Sequence, residues 1–476
     1  MRHTGRSPEG FCEGRSPEGF FEGRSPEPGD IREAVERRSG EILEWAKALI
    51  RFPSENRPPD GFEGEAQEFI AGECAKLGWE VHLFRPDEVE GIERHPSWLP
   101  GRNYSEGRKN VVAVWKGTGG KGAPSGGGPG GEASGDGADP PPPRAVRSIL
   151  YSGHADVAPF EPDGWRVCRP FDPVVREGRL YGRGAADLKG GLAAAFWGLR
   201  ILAELGFTPS GDIIFESVVD EEFAGGNGTL ASRLRGFNAD LAVLTEPTRM
   251  EICTASLGAF LGDLLLSGKG GMPYMGTAIP NPIAGAARAV QLFSEWQGEW
   301  RRLNSHPLFE GAGKELNVVL WCIDSKKEGE FTQMGIPLVT RLSWIVWCYP
   351  GMTEEEFKSR FWDFWKEKSS TDPALVPFAL DVISTYHWVR PWETPKSHPA
   401  VEAVAGAYRG YLGREPSIGG APFSCDLAHY GDAGRMPSII LGPNGQNLHA
   451  PDEWVLVEDV LSLTGVFALL ASRWCA

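Results

Sequence analysis

Residues 148–159 read SILYSGHADVAP, residues 180–191 LYGRGAADLKGG and residues 212–222 DIIFESVVDEE. Each piece is a short apolar run that stops at an acid or a histidine. Ile149, Leu150 and Tyr151 lead to His154 and Asp156. Tyr181 and a glycine turn lead to Asp187, and a helical pattern follows from Gly190 to Leu205. Ile213 to Val219 lead to Asp220, Glu221 and Glu222. Short apolar runs alternating with helical patterns predict βαβ units and a parallel sheet. In such sheets ligands bind outside the carboxyl ends of the strands, and these polar residues fall there.

Residue type then points to the chemistry. Imidazole and carboxylates are ligands for a zinc-class dication. His154 and Asp187 are natural ligands, and Asp156, two residues past the histidine, can fix the imidazole from behind. Glu221 and Glu222 are neighbours on an extended or turning chain and point in different directions. One can bind a metal ion while the other faces the attacking water as the general base of a hydrolysis. Taken singly, each motif is ordinary: HxD is commonly a surface turn, DEE the solvated end of a strand, GRGxxD a glycine turn. Their order and their strand-end placement give them weight.

Downstream, ADLAVLTEPT (239–248) repeats the pattern. Asp240 opens that strand, Glu246 ends it, and Pro247 stops it. MPSIILGPNGQNLHAPDEWV (436–455) reads as a strand, a glycine turn and then His449. GHADVAP (153–159), YGRGAADLKGG (181–191), VVDEEFAGGNGT (218–229), LTEPT (244–248) and GPNGQNLHAPDEW (442–454) together resemble the two-metal acetylornithine deacetylase, succinyl-diaminopimelate desuccinylase and aminoacylase family. The resemblance runs in the same order from about Glu33 to the C-terminus. It implies that His154, Asp187 and Glu246 hold one metal ion, with Asp187 bridging. It also implies that Glu222 and His449 complete the second site, Glu221 is the general base and Asp156 the orienter. Two divalent ions are implied, zinc first, with cobalt or manganese as alternatives. The implied substrate is a small N-acyl amino acid, of the acetylornithine type, or a dipeptide or carbamoyl amino acid.

The fold class implied is α/β: a mixed, mostly parallel sheet flanked by helices, with an inserted ferredoxin-like α+β lid. Residues 30–253 and 387–476 would form the catalytic domain and residues 254–386 the lid, a candidate surface for a homodimer. Within the lid, strands at 255–267, 315–323, 336–349 and 376–386 alternate with helices at 280–298 and 353–367 in the β-α-β-β-α-β order. Trp344, Trp347, Trp362 and Trp365 are expected in its core or interface. Two features depart from the family pattern. In GKGGMPYMG (268–276) Met272 stands where a lid histidine is usual, and methionine has no N–H to offer an oxyanion. An arginine usual near the lid's Pro-Gly turn is also missing, with Trp347 roughly in its place. A slow enzyme or a metal-binding protein without activity is the alternative that these changes raise.

Outside the motifs, residues 1–29 are three nonapeptide-like repeats, GRSPEGFCE, GRSPEGFFE and GRSPEPGDI, too poor in apolar residues to pack. Asp30 is expected to cap a first helix, with Glu33 at capping-box spacing. Residues 117–143 form a Gly-rich, Pro-ending insert between two strands; without GxxxxGK[ST] it is no phosphate loop. The net charge, 48 − 64 = −16, argues against a nucleic-acid partner. No 18-residue apolar run predicts a membrane span, and the N-terminus lacks a secretory core. The eight cysteines show no CxxC and read as reduced thiols of a cytoplasmic enzyme.

Overall fold

The computed structural model describes residues 25–104, 107–119, 146–222, 226–274, 276, 278–311, 313–325, 335–383 and 388–476. Most of the repeat tail and of the Gly/Pro insert lie outside the described residues.

Among the described residues nine strands form one mixed sheet. Its centre is parallel: Ile149–His154 lies between Ile213–Val218 and Ala242–Leu244, which in turn neighbours Ser438–Ile440. Antiparallel strands flank that centre, with Asn110–Trp115 and Glu80–Phe84 on one side. The central strands are apolar throughout because both faces are covered. Val111, Ile149, Tyr151, Ile213, Phe215 and Val243 face one core, and Val112, Leu150, Ile214, Ala242 and Leu244 the opposite one.

The first face carries the helices Pro28–Ile50, Gly190–Glu204, Pro399–Leu412 and Val457–Trp474. Gly198 lets two of them touch, since a Cβ there would meet the Thr464 carbonyl at 2.8 Å. The opposite face carries Asn227–Leu234 and Leu427–Asp432. The first helix begins earlier than the expected Asp30 cap. Pro28 takes the first helical turn, where its fixed φ suits it. Asp30 is thus inside the helix and accepts the Glu27 N–H at 3.0 Å.

A second sheet has the antiparallel order Val318–Asp324, Val339–Cys348, Gly258–Ser267, Ala379–Ile383. The helices Pro282–Leu303 and Glu354–Thr371 cover one face. Sequence order makes this the β-α-β-β-α-β arrangement. Strand alternation sorts its tryptophans. Trp344 points to the helices and, with Trp365, is buried. Trp362, on a helix, is 36% exposed. Trp347, three residues past Trp344, is on the other face; half-buried, it packs against the edge of that core and also lines a cavity.

Candidate active site

His154 ends its strand, and its ring is fixed from behind. Nδ1 lies 2.9 Å from the carbonyl oxygen of Asp156 and 3.6 Å from that residue's carboxylate. Nε2 is buried and has no hydrogen-bond partner. It points among carboxylates: Asp187 Oδ1 at 3.3 Å, Glu246 Oε1 at 3.6 Å and Glu221 Oε2 at 3.8 Å. His449, in the left-handed region at φ 59°, approaches from the far side. Its Nε2 lies 3.3 Å from Asp187 Oδ2 and 2.8 Å from Glu222 Oε2. Asp187 therefore turns one oxygen to each histidine.

Asp156 does more than face an imidazole. Its Oδ2 accepts the backbone N–H of Glu221 at 2.9 Å and of Glu222 at 3.0 Å, and the Asn56 amide at 2.9 Å. The turn that carries the two glutamates is thereby tied to the loop after His154. Asp220, just before them, is at φ 65° and buried. Its carboxylate accepts the Tyr104 hydroxyl at 2.6 Å and lies 3.3 Å from Arg108 and 3.4 Å from Arg102. A strained turn persists when its surroundings over-determine it, and this turn aims Glu221 and Glu222 into the site. Glu222 Oε1 accepts the Ala158 N–H at 2.8 Å, which leaves Oε2 for His449.

Three contributors have roles that the sequence does not assign. Glu453, buried, anchors the loop of Asp187: it accepts the N–H groups of Ala186 (2.9 Å), Asp187 (3.1 Å) and Gly184 (2.9 Å), and Arg183 Nη1 (2.8 Å). Asp220 is the second. Asp426 is the third; it lines the cavity beside Glu221, accepts Thr229 Oγ1 at 2.6 Å, and burial pushes its carboxyl up to about 7. Glu453 and Asp426 lie close to recognisable motifs, but their partners are far away in the chain, so spacing does not reveal them.

The charges do not balance without cations. Four carboxylates crowd two imidazoles. Burial first, then the neighbouring carboxylates Asp426 and Glu246, hold Glu221 well above the usual carboxylate range against the pull of His154. Glu246 is raised in the same way, by burial and by Asp187 and Glu222. Such crowding is what dications relieve. The ligand atoms of His154, Asp187 and Glu222 lie within 4.8 Å of one another, as do those of His154, Glu221 and Glu246. With the unpartnered Nε2 of His154, this donor set fits a pair of divalent ions.

Protons compete for the same atoms. In the metal-free protein Glu222 pushes His449 up to about 11 against the cost of burial, with Asp187 adding to it. A raised histidine contributes stability that is complete below its unfolded value, about 6.5, and is lost as pH rises through about 11. Ions require the neutral ring, so their binding releases protons. Zinc affinity is expected to climb from about pH 6 to about pH 8, with proton release seen by calorimetry in buffers of different ionisation heat. A flat affinity across that range would refute this account.

A cavity of about 510 Å³ opens on the site. Asp187, Glu221, Glu222, Glu246 and His449 form its floor, and Trp321, Ile345, Trp347, Trp388 and Phe423 are among its walls. Among the described residues no helix is long and apolar enough to cross a membrane.

Residues 150–473 match the family described as Peptidase family M20/M25/M40. The chain is 26% identical to the N-formyl-4-amino-5-aminomethyl-2-methylpyrimidine deformylase of Bacillus subtilis (strain 168), over 94% of this chain and 97% of the relative. It is 31% identical to the succinyl-diaminopimelate desuccinylase of Methylobacterium sp. (strain 4-46), over 67% of this chain and 78% of the relative. Among solved structures, the dipeptidase Dug1p from Saccharomyces cerevisiae superposes with a TM-score of 0.70 at 12% identity, over 94% of this chain and 98% of that one. That likeness concerns the fold.

Proposed function

The chain belongs to peptidase family M20/M25/M40, metal-dependent hydrolases of amide bonds, and from that premise we propose that it removes the acyl group from a small N-acylated amine. The observation that carries the reading is Asp187, with one carboxylate oxygen toward His154 and the other toward His449. His154, Asp187 and Glu246 would hold one divalent ion, and Asp187, Glu222 and His449 the other. Such ions supply Lewis acidity, which acidifies water and polarises a carbonyl. Zinc is the ion we propose, because imidazole and carboxylate donors suit it; cobalt or manganese would substitute.

The chain's own residues manage the proton. Glu221 takes it from the attacking water, whose oxygen bonds to the acyl carbon. The C–N bond then breaks, and Glu221 returns the proton to the amine nitrogen. A free acid and a free amine leave. Acetyl, formyl and succinyl groups are all candidate acyl groups: the motifs are most like the acetylornithine branch, whereas the relatives' names carry formyl and succinyl. Dipeptide hydrolysis ranks behind them.

One observation favours a different reading, a metal-binding protein without turnover. Met272 is 39% exposed where an N–H donor is usual, and it cannot supply one. The test is amine release from N-formyl, N-acetyl and N-succinyl amines and from dipeptides, with protein stripped of metal and reloaded with zinc. Zinc-dependent release from any of them supports the hydrolase. Two ions bound and no amine released would replace it with the silent binder.

A further inference from the structure

Resting on the amide-hydrolase reading, we infer that the cavity selects substrates whose amine half is a flat, uncharged aromatic ring rather than a carboxylate-bearing amino acid. The first ground is the roof. Strand alternation puts one set of side chains of the second sheet against its helices and the other set over the site. Leu261 and Ile345 are cross-strand partners on that second set, and Trp347 follows Ile345 by two residues. Trp321, from the neighbouring strand, joins them around the cavity. Trp388 and Phe423 add two more rings from the segments that return to the large sheet. Aromatic side chains bind flat rings through offset and edge contacts beyond simple area burial.

The second ground is charge. A substrate carboxylate in a closed site is held best by a cation beyond the metal ions, through charge-assisted hydrogen bonds. Among the described residues that line the cavity, the one lysine or arginine is Arg390, and it is paired with Asp432. Asp432 is taken up by Arg390, Asp426 adds a further carboxyl outside the ligand set, and a carboxylate buried without a partner is costly. The volume of about 510 Å³ lies in the range of cavities that enclose one small ligand. Four rings, no cation to spare and a site for one amide together describe an amide whose amine half carries an aromatic ring.

The experiment compares amides that share one acyl group: N-formylbenzylamine, N-formylcyclohexylmethylamine and N-formylornithine. With zinc-loaded protein, kcat/KM for the benzyl amide is expected to exceed that for the ornithine amide by about 100-fold, and the cyclohexyl amide to fall between. Trp347→Ala should raise KM for the benzyl amide about tenfold and narrow its kcat/KM advantage over the ornithine amide by about the same factor. Equal or better use of the ornithine amide overturns the inference. Calorimetry of the same three amides on the zinc-loaded protein separates this inference from the function beneath it. If nothing is cleaved but the benzyl amide binds more tightly than the ornithine amide, the hydrolase reading fails and the selectivity stands. Absence of any such preference in binding overturns the selectivity as well.

Discussion

Glu221→Gln is expected to lower kcat by about 100- to 10,000-fold while the protein still binds two zinc ions. Glutamine keeps the size and the polar shape of the side chain. It cannot take a proton from water or carry one to the departing amine. The surroundings of Glu221 suit a proton carrier. Burial, Asp426 and Glu246 raise its carboxyl well above the ordinary range against the pull of His154, the direction that suits a group that takes and returns a proton. Its neighbour Glu222, by contrast, is tied to Ala158 and His449 and aims at a ligand position. The check is amine release beside zinc content on the same sample. Turnover within about tenfold of the wild type would remove Glu221 from the role of base, and loss of zinc would make it a ligand instead.

Glu453→Gln is expected to destabilise the fold by about 3–5 kcal/mol and to weaken zinc binding, although Glu453 is not a candidate ligand. One carboxylate here receives three backbone N–H groups and a guanidinium. An amide nitrogen at one of those positions would meet a donor with a donor, and would leave Arg183 buried without its counter-charge. The loop that relaxes is the one that presents Asp187. Thermal unfolding of the metal-free protein reads the first effect and zinc titration the second. A merely structural role would lower the melting temperature and leave zinc affinity, measured well below that temperature, at the wild-type value. Wild-type values for both would show that Glu453 anchors nothing.

Much of the site is legible in the order of residues along the chain. His154, Glu221, Glu222 and Glu246 stand where an apolar run ends, Asp187 and His449 follow glycine turns, and the fold brings all six together at one end of the large sheet and its loops. Strand ends are readable because central strands buried on both faces leave an unbroken apolar signal. The supporting residues are not readable in this way. Asp220, Asn56, Tyr104 and Arg108 form one buried group from three separate stretches of chain. Asp220 is visible as a strand-end acid, but nothing in the local sequence marks its three partners, because a hydrogen bond needs proximity in space only. The first helix shows the same limit at short range, where Pro28 rather than Asp30 sets the start.

By itself, then, the sequence determined the strand-to-acid pattern, the identity of the six polar residues, the two kinds of sheet and the place of Met272. The strand-to-acid pattern follows from periodicity and residue type, which are local; the full set of six, the second sheet's place and that of Met272 follow from the order of motifs shared with the family. Only the tertiary structure decided which carboxylate oxygen faces which histidine, that Asp156 ties the Glu221–Glu222 turn, that Glu453 holds the Asp187 loop, and that Trp347 lines the cavity. The physical reason is common to all four. Each depends on how strands, loops and helices distant in the chain are set against one another, and that arrangement is fixed by packing of the whole core rather than by any single stretch.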